Sequence, residues 1–182
     1  MKQQINGNNP IRVLHMAPIR MGGITELVLT LSEKIDSEKV QFDYLTFEDT
    51  FDQASKRAKE AHSTIYRVDL QTVKNPVVRG LKKFFGIIKL VHSEQIKIIH
   101  INSSTPYEVL VAFAAKIGGA KKIIYHSHNS SYYPGQKLVK LSEVFKWFMP
   151  FVITDYAQMQ QQGLCSRRKS LTRKIIPLSR MA

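Results

Sequence analysis

Three short polar clusters in the sequence contain the residue types that hold sugars and phosphates in proteins. Residues 20–23 end in a glycine pair, residues 102–105 read NSST, and residues 126–131 read HSHNSS. Glycines let a ligand approach the backbone, amides and hydroxyls hydrogen-bond to ligand oxygens, and imidazoles bind or transfer a proton. If the three clusters converge, they predict a pocket for a polar ligand such as a sugar.

The pair Gly22-Gly23 follows an apolar run at residues 11–16 and precedes apolar residues at helical spacing: Leu27, Val28, Leu31 and Ile35. This order predicts a strand, a loop and a helix, with the free N–H groups and positive dipole end of the helix next to the glycines. Thr25 and Glu26 would lie in the first helical turn, where a hydroxyl and a carboxylate are favourable. The simpler alternative is a glycine pair that only makes a tight turn, since MGGITE is not the G-x-G-x-x-G fingerprint of dinucleotide-binding proteins.

The remaining patterns predict strands and helices in alternation. Four more strands are predicted, at residues 40–47, 63–68, 96–101 and 122–125, and three more helices, at residues 51–62, 76–91 and 107–117. Alternation with short loops is typical of an α/β protein with a Rossmann-like, doubly wound parallel sheet. Because parallel strands end at one edge of the sheet, the three polar clusters are expected to gather there, in the loops that follow the strands.

The helix that begins at Pro76 carries both apolar and basic residues. Its apolar residues are Val77, Val78, Leu81, Phe84, Phe85, Ile88 and Val91, and its basic residues are Arg79, Lys82, Lys83 and Lys89. A basic amphipathic helix can lie on a membrane surface. The commoner pattern is a helix packed on the sheet with its lysines in solvent, and we expect that arrangement.

Composition indicates a globular protein of one main domain. The chain has 182 residues, 43% of them hydrophobic, and a net charge of +13. No apolar run approaches the roughly 20 residues needed to cross a bilayer, and residues 1–9 lack the apolar segment of a secretory signal. The single Cys165 cannot form an internal disulfide, and no cysteine and histidine spacing is typical of zinc. These features predict a cytoplasmic protein.

The charge is concentrated at the end of the chain. Residues 157–182 contain six basic residues and no acidic ones, so the other 156 residues carry 21 − 14 = +7. A moderately basic chain without a zinc-finger or RNP-type motif does not indicate a nucleic-acid partner.

Taken together in order, the motifs resemble those of the retaining family-4 glycosyltransferases of GT-B architecture, especially bacterial capsule and exopolysaccharide transferases. The similar segments are IRVLHMAPIRMGGITE, VQFDYLTF with STIYRV, IKIIHINSS and IIYHSHNSS, within residues 11–156. The resemblance implies that this part is the N-terminal, acceptor-side domain of the two-domain GT-B fold. It also implies transfer of a glycosyl group from a nucleotide sugar to a saccharide acceptor, which is lipid-linked in several members, with retention at the anomeric carbon.

The resemblance also implies site residues. Gly22 and Gly23 would face the donor diphosphate, and Glu26 matches the acidic residue that ends the family's Gly-Gly-x-x-Glu loop. Asn102 stands where many members have histidine, two residues after a histidine that matches His100. The other implied residues that line the cleft between the domains are Ser103, Ser104, His126, His128 and Asn129, with His128 as the candidate catalytic residue. The resemblance implies no cofactor and no metal, and it permits a peripheral contact at the inner face of the membrane through an aromatic helix at residues 138–151.

The end of the chain departs from the family pattern. We therefore expect three parts: a flexible N-terminus at residues 1–9, the GT-B N-terminal domain at residues 10–156, and a basic atypical tail at residues 157–182. A shifted reading frame from Tyr156 would explain the tail, and the chain would then be truncated and inactive alone.

Two other functions remain open from the sequence. The chain could be a non-enzymatic binding module that holds an anionic partner or a membrane surface with its basic residues. A free-standing nucleotide-binding enzyme is disfavoured because the dinucleotide fingerprint is missing.

Overall fold

A computed structural model describes residues 10–17, 19, 22–103, 108–127 and 154–158. Strands and helices alternate through most of this length, as the sequence predicts. The strands are β1 (Ile11–Met16), β2 (Val40–Thr46), β3 (Ile65–Arg67), β4 (Ile98–Ser103), β5 (Lys122–Ser127) and β6 (Asp155–Gln158). The helices are α1 (Gly23–Lys34), α2 (Asp52–Glu60), α3 (Pro76–Ser93) and α4 (Val109–Gly118).

The six strands form one sheet in the order β3-β2-β1-β4-β5-β6, and every neighbouring pair is parallel. This confirms the predicted Rossmann-like, doubly wound sheet. The chain moves outward from β1 to β3 on one side, then crosses back through α3 to add β4 on the other side of β1. The direction in which successive strands are added therefore reverses between β1 and β4. Open α/β sheets bind ligands at such a switch point.

Each face of the sheet packs against its own helices. On one face, Leu14, Ile99 and Ile123 pack with residues of α3 and α4 that include Ile87 and Val91. On the opposite face, Tyr44 packs with residues of α1 and α2: Val28, Leu29, Ala54 and Ala58. The strands therefore read as nearly continuous apolar runs, as expected when helices cover both faces.

Two predicted strand ends differ from the structure. Asn102 and Ser103 were predicted in a loop but belong to β4, and His126 and Ser127 belong to β5. The reason is that β4 and β5 continue to pair beyond their apolar residues, with Asn102 beside His126 and Ser103 beside Ser127. β6 runs across residue 156, the expected end of the domain, and that boundary stays a prediction.

Helix α1 buries a different face from the one that its apolar spacing predicts. Its buried residues are Thr25, Val28, Leu29 and Ser32, whereas Leu27 and Leu31 are about half exposed. Small polar side chains are buried here because they meet the sheet and bond locally, as when the Ser32 hydroxyl donates to the Leu29 carbonyl oxygen at 2.7 Å.

Helix α3 packs on the sheet as expected, with Lys82 and Lys89 in solvent, but four of its apolar residues stay exposed. The Asn75 side chain caps its start by accepting hydrogen bonds from the N–H groups of Val77 and Val78. Ile87 and Val91 are buried, while four apolar residues are exposed: Val77, Val78, Leu81 and Phe85. Exposed apolar residues of the neighbouring α4 are Leu110, Phe113 and Ile117. We call these seven residues the outer apolar surface.

A polar network stabilises the part of the sheet that lies away from the strand ends with the polar clusters. The Asp43 carboxylate is fully buried and accepts hydrogen bonds from Arg12 Nε at 2.8 Å and from the Thr64 N–H at 2.9 Å. Arg12 also donates to the Tyr66 hydroxyl at 2.7 Å, which donates to Glu94 at 2.8 Å. This network connects β1, β2 and β3 to the end of α3.

Two helix glycines provide a matched test of this packing. A Cβ at Gly118 would lie 2.8 Å from Cβ of Val91 and 3.0 Å from the Ile88 carbonyl oxygen, whereas a Cβ at Gly80 would meet no atom of the described residues within 4 Å. We expect Gly118→Ala to lower the free energy of unfolding by about 1–3 kcal/mol through overpacking. Gly80→Ala should raise it by about 0.5–1 kcal/mol because alanine is the better helix former. Urea unfolding of both variants checks this, and equal effects would contradict the close α3–α4 contact.

Candidate functional site

A cleft of about 620 Å³ opens where β1, β2 and β4 end. We call it the edge cleft. Its walls are the ends of these strands, the first turns of α1 and α3, and Glu108 just before α4. Its polar lining residues are Thr46, Glu48, Arg79, Lys83, Asn102 and Glu108. Its position beside the β1–β4 switch point is the place that the sequence predicts for a ligand.

The glycine pair forms the start of α1 and leaves open space. Gly22 caps the helix without any side-chain cap bond from the described residues, and both glycines are exposed. Among the described residues, no heavy atom lies within 4 Å of a Cβ built at either glycine, and Gly22 has φ 164°, an extended backbone that any residue adopts. The described part of the fold therefore does not require glycine at these positions. It leaves the space over the N–H groups of α1 open, next to Ile24 in the wall of the edge cleft.

Glu26 lies in the first turn of α1, as predicted, but its carboxylate is paired with another helix. It accepts a hydrogen bond from Arg57 Nη1 of α2 at 2.7 Å and one from the Thr30 hydroxyl at 3.2 Å. Arg57 also binds Glu33 at 2.6 Å. The hydrogen bond from Arg57 lowers the pKa of Glu26. Glu26 thus connects α1 to α2 and does not line the edge cleft, and a ligand contact by this residue stays a prediction.

Asn102 is buried at the end of β4 and contacts a buried histidine. Its side-chain amide nitrogen lies 3.5 Å from Nδ1 of His15, a residue of β1. Burial, together with the nearby His100, lowers the pKa of His15 to about 3. His15 is therefore neutral at physiological pH, and its Nε2 has no hydrogen-bond partner in the described part of the chain. The sequence did not single out His15, because a lone histidine in an apolar run is usually structural.

Three histidine rings lie in a row across β1, β4 and β5. The centroids of His15 and His100 are 4.8 Å apart, and those of His100 and His126 are 5.8 Å apart with nearly parallel rings. His126 is half-buried, and this burial lowers its pKa. Asn102 and His126 are register neighbours, so two of the three predicted polar clusters meet at adjacent strand ends.

Of the other predicted site residues, only Ser103 lies in the described part, at the last position of β4. Ser104, His128 and Asn129 lie outside the described residues, as does the helix expected at residues 138–151. The catalytic role of His128 therefore stays a prediction.

The edge cleft also contains charged residues that the sequence analysis did not select for a site. The Lys83 ammonium group lies 2.8 Å and 3.1 Å from the two Glu108 carboxylate oxygens and 4.3 Å from the centroid of the Phe47 ring. Arg79, one turn before Lys83, is exposed and forms no ion pair with the described residues. Helical spacing puts Arg79 and Lys83 on one side of α3, but only the fold shows that this side borders a cleft.

Metal-binding clusters and membrane-spanning helices are both absent from the described residues. No group of three histidine, cysteine, aspartate or glutamate residues there is placed to hold a metal ion. None of the helices in this part of the chain is long and apolar enough to cross a membrane.

Burial of neutral His15 predicts a pH-dependent stability. Its folded pKa of about 3 lies below the ordinary 6.5, so the unfolded chain takes up the proton first. This contribution to stability is fully present above pH 6.5 and is lost as the pH falls from 6.5 toward 3. The loss is up to about 1.4 kcal/mol per pH unit, or about 2 kcal/mol between pH 7 and pH 5.

Replacing His15 with a side chain that does not titrate tests whether His15 causes this loss of stability at low pH. We expect His15→Gln to remove most of the loss between pH 7 and pH 5, measured by urea unfolding at both values. The matched control is His92→Gln, at an exposed position of α3, which should keep the wild-type loss. If both variants keep it, another group causes the pH dependence.

Comparison with known proteins agrees with the geometry. The family described as glycosyl transferase 4-like matches residues 30–153. The Bacillus subtilis (strain 168) protein assigned as glycosyltransferase EpsF is 29% identical over 130 residues, which are 68% of this chain and 32% of that protein. The chain thus spans about a third of the length of that curated relative.

Solved structures show the same fold. MurG of Acinetobacter baumannii superposes with a TM-score of 0.58 at 15% identity, over 90% of this chain and 45% of MurG. A Listeria monocytogenes protein described as a UDP-N-acetylglucosamine 2-epimerase gives a TM-score of 0.53 at 11% identity, over 81% of this chain and 39% of that one. The fold is therefore one Rossmann-like half of a GT-B protein, and with the match over residues 30–153 the chain belongs to the glycosyl transferase 4-like family.

Proposed function

We propose that this chain forms the acceptor-side domain of a glycosyltransferase that moves a sugar from a nucleotide sugar to a saccharide acceptor. One observation carries the proposal: in the described part of the chain, the start of α1 has no side-chain cap and leaves open space over Gly22 and Gly23, and it lies beside the edge cleft at the β1–β4 switch point. Family membership favours sugar transfer over the non-enzymatic binding module that the sequence left open.

The start of α1 suits the leaving group of such a reaction. When the bond between the sugar and the nucleoside diphosphate breaks, negative charge develops on the diphosphate. Free N–H groups and the positive dipole end of a helix stabilise such charge without reorganising. Gly22 and Gly23 would let the diphosphate come close to these N–H groups. We assign the remaining donor contacts to a second domain, as the resemblance implies.

The edge cleft suits an acceptor saccharide. Its volume of about 620 Å³ is within the usual range of small-ligand sites, roughly 300–1,000 Å³. Asn102 offers an amide at the base of the cleft for a sugar hydroxyl, while the half-buried Phe47 and the exposed Pro76 offer apolar surface to a sugar ring. Arg79 adds a cation without an ion pair to the described residues. The predicted residues His128 and Asn129, which follow β5, belong to the proposed site.

The type of product and the type of acceptor are inferred from the family resemblance. We propose that the product is a surface polysaccharide of capsule or exopolysaccharide type, and that the acceptor is linked to a lipid. The reaction would then take place at the cytoplasmic face of the membrane, with the domain in peripheral contact.

Binding to the 182-residue chain tests the proposed site without requiring turnover. We expect millimolar nucleotide sugars or oligosaccharides to shift the NMR amide signals of Gly22, Gly23 and Ile24 and of residues lining the edge cleft. Gly23→Val should weaken the shifts at the start of α1 at least tenfold, because the valine side chain occupies the open space while the fold is kept. The matched control is Lys34→Val, at the other end of α1, which should bind like wild type.

Two results would contradict the proposal. One is the absence of shifts with every nucleotide sugar and oligosaccharide tested. The other is an equal loss of binding in Gly23→Val and Lys34→Val, which would remove the glycine pair from the site.

A further inference from the structure

Helix α3 borders the edge cleft with one side of its first two turns. Pro76, Arg79, Gly80 and Lys83 line the cleft, and their spacing of three and four residues places them on one side of the helix. The α3 residues of the outer apolar surface have a different spacing, which places them on the opposite side. Arg79 therefore belongs to the wall of a cavity and not to the outer side of α3.

Arg79 differs from the other charged residues of the edge cleft in its lack of a described partner. Lys83 binds both carboxylate oxygens of Glu108, at 2.8 Å and 3.1 Å, so these two charges offset each other. Glu48 has an interaction of its own. Arg79 makes no ion pair and no side-chain hydrogen bond with the described residues. The described part of the cleft thus leaves one positive charge without a counter-charge.

We infer that the edge cleft takes an acidic saccharide, whose ring carboxylate is bound by Arg79. The planar guanidinium fork matches a carboxylate with two parallel hydrogen bonds. Attraction between the two charges is stronger in a cleft than in open water, because the protein walls lower the local dielectric constant. The inference rests on the proposed function, since it names the chemical class of the saccharide that the same cleft would hold.

The Phe47 ring gives the sugar a surface near Arg79. Lys83 Nζ lies 4.3 Å from the centroid of this half-buried ring. Arg79 precedes Lys83 by one helical turn, which is about 5.4 Å along α3. A sugar ring on the part of Phe47 that faces the cleft would therefore have a carboxylate within the reach of the long Arg79 side chain.

The charge balance of the cleft favours a carboxylate over a phosphate. Its charged lining residues are two cations, Arg79 and Lys83, and two acids, Glu48 and Glu108. A carboxylate adds one negative charge, which Arg79 offsets. A phosphate ester carries roughly 1.5 to 2 negative charges near neutral pH, so part of its charge would face the acids of the lining without a described cation to offset it.

Binding of matched glycosides to the 182-residue chain tests the inference. Methyl β-glucuronide and methyl β-glucoside differ only in a carboxylate against a CH₂OH group, and NMR titration of the cleft signals measures the affinity of each. We expect the glucuronide to bind at least tenfold more tightly, because a hydrogen bond between charged groups is stronger than one between neutral groups. Methyl galacturonide and methyl galactoside form a second pair, so that the result does not depend on one ring stereochemistry.

Variants of two neighbouring cations on α3 test the assignment to Arg79. Arg79→Gln should remove the preference, so that the acidic and the neutral glycoside of each pair bind with similar affinity. Arg79→Lys keeps the charge without the planar fork and should keep a preference of roughly threefold. The matched control is Lys82→Gln, which also removes an exposed cation of α3 but lies outside the cleft lining, and this variant should bind like wild type.

Four results would overturn the inference. Equal affinity for the acidic and the neutral glycoside of both pairs would remove the carboxylate while leaving the proposed acceptor cleft in place. An equal loss of preference in Arg79→Gln and Lys82→Gln would show only a general attraction to the basic chain. Tighter binding of glucose 6-phosphate than of the glucuronide would make phosphate the recognised anion. Absence of binding for every glycoside would contradict the proposed acceptor cleft as well.

Discussion

The site depends on the parallel pairing of β1 with β4. β1 lies between β2 and β4, and the chain reaches these two neighbours by routes on opposite faces of the sheet. α1, the helix after β1, therefore lies on one face of the sheet, and α4, the helix after β4, lies on the other. The pairing of Met16 with Ile101 brings both strand ends to one level, where the edge cleft opens beside Ile24 and Glu108. The network around Asp43 connects β1 and β2 to β3 farther from the edge cleft.

This pairing also explains why polar side chains are buried at the strand ends. β4 is flanked by β1 and β5, so its last residues stay in the sheet and cannot turn outward. Asn102 consequently faces His15, and the interior keeps that imidazole neutral. The contact satisfies one nitrogen of His15 and leaves Nε2 without a partner among the described residues. Such an incomplete polar contact costs stability, and buried polar groups of this kind are commonly found beside ligand sites.

The sequence predicted the order of elements and the edge of the sheet where polar residues collect. Branched apolar runs, and Pro76 after the capping Asn75, are local signals, and each one matches an element or a cap in the structure. Features that depend on neighbours in space were not predicted. The strand membership of Asn102 depends on pairing with β5, the partner of Lys83 lies 25 residues away, and the partner of Glu26 lies on another helix. Local patterns carry no information on such contacts.

The sequence predicted that α3 packs on the sheet but not which of its apolar residues stay exposed, and close packing at two glycines bears on this. These close approaches add to the contacts of the large core residues of α3. A Cβ at Gly86 would lie 2.8 Å from Cγ1 of Val68, and Gly118 of α4 meets α3 at Val91 in the same way. Small residues at these positions let the helix approach its neighbours until Ile87 and Val91 fill the space beneath it. The larger residues Leu81 and Phe85 then have no place in the core, and their exposure follows from the way α3 packs. An apolar residue that adds little to folding in this position is available for an interaction outside the domain.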